Sequence, residues 1–542
     1  MKKTILIMVL SLLIFAYLLP FHKSPWPTFG SEILTFLSAS LFIWTFYNKK
    51  VEIPRPQVLV VPMLSLPILQ WCLGLELYFS NALICFVYVL MFWVMVIAGY
   101  NLSKTEKQRE LVFEKFAFLL LVISLISSVI AIFQWLHLSH YFEPLMYAFK
   151  GNRPYANLAQ PNNLATLLTM GLLSCLYFFE KRIIENKYLI PCSLILIFSI
   201  ALTQSRTSWV VCLFILCYWT IKQFNQSKRL DLKKSLMWVG FFVLSVATLP
   251  FVNHVLASIS DQAITETASA IERATSGYLR LDMWSQILIA LKQNPWIGYG
   301  WNQTGMAQIA AFDAYPSHEW YKSAHNIILD ILVWNGLIIG GLIVLYFTAW
   351  LYWLNKGVKD TISIVATLMV CAVLIHGLLE YPLHYAYFLL PVGFLLGIIQ
   401  GQYKQLPSIS IHPKWLLLIS LCVIMGSIIT IRDYSLYKEQ SSIASQTTPL
   451  TTDQQHTLDK KLILLTQFSE RVWWIQLDPK TQMNEQQLDH IGKMVANLAS
   501  KYDIYKYAQV LAFNGKEQEA KRQLWILEQL HRQKRTYEEL LK

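Results

Sequence analysis

A chain of 542 residues with 55% hydrophobic and only 14% charged residues, and a mean hydropathy of +0.42, is too apolar for a soluble globular protein and reads as a polytopic membrane protein. The formal net charge of +12 does not point to nucleic acid, because lysines and arginines are spread through short loops between apolar segments, where they set membrane orientation. All eight cysteines fall inside apolar segments, so neither a disulfide framework nor a cysteine zinc site is implied.

Residues 1–19 imitate a signal peptide, with Lys2 and Lys3 ahead of an apolar run, but no small-x-small cleavage signal precedes Pro20, and the segment is read as a retained anchor. Judged against the roughly 20 residues a helix needs to cross the hydrocarbon core, thirteen apolar spans are predicted. They lie near 4–20, 31–47, 58–75, 80–100, 112–136, 163–179, 188–203, 208–222, 235–252, 326–353, 361–379, 385–400 and 415–432. With a cytoplasmic N-terminus, every loop on that side is basic, from Lys49 and Lys50 through Lys104, Lys107, Arg109, Lys181 and Arg182 to Lys404 and Lys414. The opposite side receives the loop 137–162, a short turn around Arg206, the long loop 253–325 and a tail from Asp433. An odd span count puts that tail opposite the N-terminus, which in a bacterial cell is the periplasm. The predicted fold is all-α: a transmembrane domain over 1–432 with about thirteen helices and a long periplasmic loop, then a periplasmic helical domain over 433–542.

Within the long loop, 257–274 and 279–292 have helical composition, and Asn294-Pro-Trp-Ile-Gly-Tyr-Gly300 interrupts them as a turn. In the tail, 507–524 looks like half of a tetratricopeptide-type hairpin turning at Gly515; an ordinary helical pair fits equally well. Gly336 and Gly340 on the tenth span, and Gly393, Gly397 and Gly401 on the twelfth, are spaced for close packing of late helices.

Polar groups gather at the periplasmic ends of the spans. His325, in Ser323-Ala-His-Asn326, is predicted in the first turn of a membrane helix, where free N–H groups and the positive dipole end favour the neutral imidazole of a general base. Asp330 shares a helical face with Asn326 and is placed to orient polar groups near His325; a structural hydrogen bond is the alternative. Arg206 and Arg280, each alone, read as a snorkelling and a solvated arginine. Gathered with a histidine at one membrane surface, their guanidinium forks suit a lipid-linked phosphate or diphosphate. In the dense polar stretch 151–163, Gln160 and Asn162 carry amides of the kind that bind sugar hydroxyls and Arg153 adds a positive charge; the alternative is helix capping by Asn162 or Asn163. Glu380, followed by Tyr381, ends the eleventh span four residues after His376, and an ion pair toward Arg206 or Arg280 is its expected role. His318, Glu319 and His325 match no common metal-ligand spacing, and no phosphate-binding loop or dinucleotide fingerprint is present, so neither metal nor nucleotide cofactor is expected.

These residues together resemble the O-antigen ligase and polymerase superfamily. His325, Asn326 and Gly336 fit its ligase pattern, departing only at Ile339. The stretch 151–163, the Arg280 helix with Pro295-Trp-Ile-Gly-Tyr-Gly300, and Glu380-Tyr-Pro-Leu are similar to the branch of bacterial protein O-oligosaccharyltransferases that glycosylate pilins. The resemblance implies a donor oligosaccharide on undecaprenyl diphosphate, transferred en bloc to Ser or Thr of pilin-like or other exported proteins. It implies His325 as general base, Arg280 as catalytic, Arg206, Arg280 and Arg153 as diphosphate ligands, and Gln160, Asn162, Asn326, Glu380 and Tyr381 as glycan or acceptor contacts. Within the superfamily the acceptor could instead be lipid A core or a growing glycan. A proton-coupled transporter using Asp330, His376 and Glu380, and a membrane scaffold, are the readings from other classes.

Overall fold

The computed structural model describes residues 2–223, 229–259, 278–446 and 448–542. Among these, eight helices are long and apolar enough to cross a membrane: Phe29–Phe46, Phe79–Leu102, Glu106–Trp135, Pro161–Lys181, Asn186–Thr203, Leu232–Leu256, Ile327–Gly357 and Lys414–Ala444. Lys3–Leu18, Thr361–Gly377 and Ala386–Gln400 are shorter apolar helices, and Arg206–Gln223 adds another helix of 18 residues. The chain is therefore an all-α polytopic membrane protein. The helix predicted over 257–274 falls, beyond Ile259, outside the described residues.

The stretch 58–75 departs from a single span. It is three short helices, Arg55–Val58, Val61–Leu64 and Leu66–Cys72, because Pro56, Pro62 and Pro67 each remove a backbone donor and crowd the preceding turn. The next helix, Phe79–Leu102, ends beside the start of this stretch: Asn101 donates to the Glu52 carbonyl at 2.8 Å and Lys104 pairs with the Glu52 carboxylate at 2.7 Å.

The described residues divide into two compact units. One comprises Met1–Val60, Leu90–Thr275 and Ala349–Ile424. Here Ala386–Gln400 lies against Phe79–Leu102 at backbone contact: a Cβ on Gly397 would stand 2.2 Å from the Val96 carbonyl, and one on Gly393 2.8 Å from the Phe92 carbonyl. The glycine stripe of the twelfth span thus packs on the fourth span. Basic loops meet acids at one end of this unit. Arg109, 5% exposed, pairs with Asp360, which caps Thr361–Gly377 by accepting from the Ser363 N–H at 2.8 Å, and Lys181 pairs with Glu110 at 2.6 Å. Strand Val51–Pro54 is antiparallel to Ser408–Ile411, with Val51 opposite Ile411.

The other unit comprises Val61–Val89, Ser276–Thr348 and Met425–Lys542. Ile327–Gly357 is broken at Gly336, whose φ of 72° and ψ of 174° are not helical. The loop 294–300 makes good the lost bonds. Pro295 accepts from the Leu337 N–H at 2.7 Å, while the Tyr299 and Gly300 N–H groups donate to the Val333 and Trp334 carbonyls at 2.9 and 3.1 Å. Gln70 completes the junction, donating to the Trp334 carbonyl at 3.0 Å and accepting from the Trp301 N–H at 2.8 Å. Gly336 is therefore a break docked on a loop rather than a helix–helix contact.

The tail is anchored by Asp433, whose Oδ2 accepts from the N–H groups of Ile463, Leu464 and Leu465 at 2.7, 2.6 and 3.1 Å. Lys501–Phe513 and Glu517–His531 form the predicted hairpin, turning at Gly515 with φ +73°. Burial lowers the Lys506 ammonium to about 8. It nevertheless finds acceptors in the Trp474 and Ile475 carbonyls at 2.6 and 3.0 Å.

Candidate active site

His325 stands just before Ile327–Gly357, with Asn326 between, and not in the first turn as its sequence context suggested. Asn326 is the cap: its Oδ1 accepts from the Ile328 and Leu329 N–H groups at 3.0 and 3.3 Å. The amide therefore occupies the free donors assigned to the histidine's surroundings. His325 instead adopts a left-handed backbone with φ +51°, which costs a non-glycine residue roughly 1–3 kcal/mol and is found disproportionately at functional sites.

The strain is held from both sides. Asp330, fully buried, accepts through Oδ1 from Thr304 Oγ1 at 2.9 Å and from the Ala324 N–H at 2.8 Å, and through Oδ2 from Ser323 Oγ at 2.6 Å. Ser323 Oγ in turn accepts from the His325 N–H at 3.1 Å. Thr304 also accepts from Trp334 Nε1 at 2.8 Å. Asp330 is thus the hub that fixes the residues preceding His325. Sequence reading chose Asp330 but missed Thr304 and Ser323; an acid four residues past an Asn cap, with two hydroxyls upstream, was the available signal. Asp330→Ala leaves three buried donors without an acceptor, each costing roughly 1–3 kcal/mol. The expected result is a lower thermal midpoint in detergent together with loss of activity; a variant with an unchanged midpoint would refute the hub.

Arg280 lies in the first turn of Tyr278–Gln293, on the same face as Trp284 one turn later. Trp284 Nε1 donates to the Ala324 carbonyl at 3.0 Å, so the helix carrying Arg280 is fastened to the residue beside His325. Sequence reasoning missed Trp284. The same helix is held by Tyr321, whose hydroxyl donates to Gln286 Oε1 at 2.8 Å. Burial pushes that phenol far above its usual range, so it stays a donor.

In the other unit a second polar group forms. Arg153 Nε donates to the Thr203 carbonyl at 2.8 Å and its Nη2 to Asn162 Oδ1 at 3.3 Å; Asn162 Nδ2 donates to Glu380 Oε1 at 3.2 Å. Three predicted site residues are thereby brought together. Thr203 ends its helix, Gln204 takes a left-handed φ of +49°, and Arg206, exposed, opens the next, so Arg153 reaches the turn that carries Arg206. Gln160 is the cap of Pro161–Lys181, its Oε1 accepting from the Asn163 N–H at 2.7 Å. Capping in this stretch falls to Gln160 rather than to Asn162 or Asn163. His376, fully buried, sits 2.8 Å from Thr166 Oγ1. Tyr381 stands in a run of rings with His384 and Tyr385, at centroid separations of 5.6 and 5.9 Å, and burial raises its phenol. A cavity of about 570 Å³ lies among Pro161–Lys181, Asn186–Thr203, Arg206–Gln223 and Leu232–Ile259. Its lining is chiefly aliphatic, with Leu173, Ile197, Ile200, Val211 and Ile215, and also includes Ser208, Arg229 and Lys234.

The chain matches the O-antigen ligase family over residues 191–345 and the C-terminal family of virulence factor membrane-bound polymerases over 364–538. It is 40% identical over 546 residues to a general O-oligosaccharyltransferase of Acinetobacter baylyi, covering all of this chain and 94% of that protein. It is also 30% identical over 392 residues to a ComP-specific O-oligosaccharyltransferase of the same organism, covering 71% of this chain and 69% of that one. A multi-pass membrane architecture, the ligase-family match across the His325 segment and a full-length likeness have one conclusion: the chain belongs to the O-oligosaccharyltransferases, and it is a membrane glycosyltransferase.

Proposed function

We propose that the protein moves an oligosaccharide en bloc from undecaprenyl diphosphate to Ser or Thr hydroxyls of pilin-like or other exported proteins, at the periplasmic face of the bacterial inner membrane. The observation that carries this reading is the full-length 40% identity to a general O-oligosaccharyltransferase. The relative named for a single acceptor matches less of the chain, at lower identity, which favours more than one acceptor here.

In this reading His325 takes the proton of the acceptor hydroxyl as its oxygen attacks the anomeric carbon. The glycosyl–phosphate bond breaks on the opposite side and the electron pair leaves on the diphosphate, whose charge Arg206, Arg280 and Arg153 offset. Gln160, Asn162, Asn326, Glu380 and Tyr381 contact glycan or acceptor. The left-handed His325 backbone, over-determined by the Asp330 network, supports its role; the Arg153–Asn162–Glu380 chain supports a polar subsite. The largely aliphatic cavity whose lining includes Ser208, two residues after Arg206, suits part of a polyprenyl chain. The basic loops at one end of the first unit support placing that end in the cytoplasm, with 1–432 as the transmembrane domain and 433–542 as a periplasmic domain.

Purified protein in detergent, given extracted undecaprenyl-diphosphate oligosaccharide, a pilin, a second exported protein, chelator and no nucleotide, tests this by intact-protein mass. A glycan-sized increase on both acceptors is expected. Arg280→Ala is expected to remove it, since loss of one group stabilising developing charge costs roughly 3–4 kcal/mol in the barrier. A lengthened lipid-linked glycan or a modified lipid A core, with no protein product, would move the assignment to the polymerase or ligase.

A further inference from the structure

The core of the C-terminal helices takes in a residue from outside them. Phe312, a fully buried residue of the loop between the Arg280 helix and His325, is part of the same apolar core as Trp474, Ile491, Leu511 and Leu527 of the tail. Its ring meets that of Trp525 at 5.5 Å and 77°. Around this plug the loop is fastened at further points. Arg522 grips Asp313 with a fork, Nε at 3.1 Å from both carboxylate oxygens and Nη2 at 2.8 Å from Oδ2. His318 Nδ1 lies 2.9 Å from the Gln529 carbonyl, so that nitrogen carries the proton. Gly305 lies so close that a Cβ there would stand 2.9 Å from the Asn497 carbonyl oxygen.

The clamped segment leads directly to the strained histidine. Gly305 follows Thr304, which donates to Asp330, and Asp330 holds Ser323 and Ala324. The loop from 304 to 325 is therefore tied to the membrane helix at both its ends and to the tail along its middle. An exposed ion pair alone contributes little to stability. A geometric fork on a loop whose other end sets a reacting group has a different use, since small misplacements of such a group cost up to about 10²-fold in rate.

We infer that the C-terminal helices are a positioning element for the reaction: Arg522, Trp525 and the Gln529 carbonyl, gripping Asp313, Phe312 and His318, hold the loop that presents His325. This rests on the assignment of His325 as the reacting group, and the two are tested apart.

Arg522→Glu with Trp525→Ala, made in the full chain, is assayed for transfer alongside His325→Ala, with thermal unfolding of each. With the positioning role, the tail variant loses kcat by about tenfold or more, keeps KM for donor and acceptor within about twofold, and unfolds within a few degrees of the parent. Arg522→Glu alone gives a smaller fall in kcat, and adding Asp313→Arg to it, which reverses the pair, recovers most of that activity. An unchanged kcat, a loss confined to the acceptor KM, or failure of the reversed pair to recover would each overturn the inference; the second would make the tail an acceptor-docking surface. Activity in His325→Ala would instead overturn the reading on which it rests.

Discussion

Replacing His325 by either alanine or asparagine is expected to abolish detectable transfer while leaving the protein inserted and folded. A positioned general base contributes typically 10²–10⁴-fold, and here no other group is assigned to take the acceptor proton. The two substitutions separate chemistry from backbone. Asparagine tolerates the left-handed region better than most residues, so His325→Asn keeps the φ of +51° at little strain and removes only the imidazole. Membrane fractionation and thermal unfolding should match the parent for both variants, because the contacts that hold this segment run through Ser323, Ala324, Asn326 and Asp330. Near-normal glycosylation by either variant would remove the histidine from the mechanism.

Gly336→Val is expected to be the most damaging change that touches no polar group. The backbone at φ 72° and ψ 174° is a conformation open in practice only to glycine, and a Cβ there would stand 2.2 Å from the Trp296 carbonyl oxygen and 2.4 Å from its carbon. Relief requires the 294–300 loop to leave the helix, and with it the bonds from Leu337 to Pro295 and from Tyr299 and Gly300 to Val333 and Trp334. Strain and lost bonds together amount to several kcal/mol, a large share of a protein's net stability. The measurement is the yield of monodisperse protein in detergent, expected to fall severely. Gly341→Ala, whose Cβ would meet nothing within 4 Å, is the control and should behave as the parent. Equal yields for the two would show that the break at Gly336 is not required.

Much of the architecture was legible because membrane helices announce themselves by length and apolarity, and a polar residue at the mouth of one is conspicuous. His325, Asn326 and Asp330 are legible in that way, whereas Arg280, on a helix of the long loop, takes its role from the resemblance. What escaped depends on partners distant in sequence. Gly336 looked like a packing glycine because its left-handed backbone exists only when residues 294–300 dock on it. The stretch 294–300 is legible as a turn, yet nothing local joins it to Gly336. Gly393 and Gly397 showed their spacing but not which helix they face. His325 lies one step outside the helix that its context suggests, because Asn326, a strong cap former, takes the cap position. The breaks at Pro56, Pro62 and Pro67 were readable and were outweighed by the apolarity around them. Asp313, Phe312 and His318 carried no motif, and their union with Arg522, Trp525 and Gln529 is tertiary.

The pairing of Val51–Pro54 with Ser408–Ile411 has a bearing on how the protein is made. The two strands lie about 360 residues apart in the chain, and at roughly 5–20 residues per second the ribosome needs on the order of 20–70 s to supply the second after the first. Asn101 bonds the Glu52 backbone on one edge, but throughout that interval the other edge of the first strand lacks its partner, and most of the intervening helices are inserted before it can be matched. Long-range closures of this kind form late and slowly. The short sheet is a latch that shuts only when the bundle is almost complete, so chains arrested before residue 408 keep an unmatched edge by which quality control could distinguish them from finished ones.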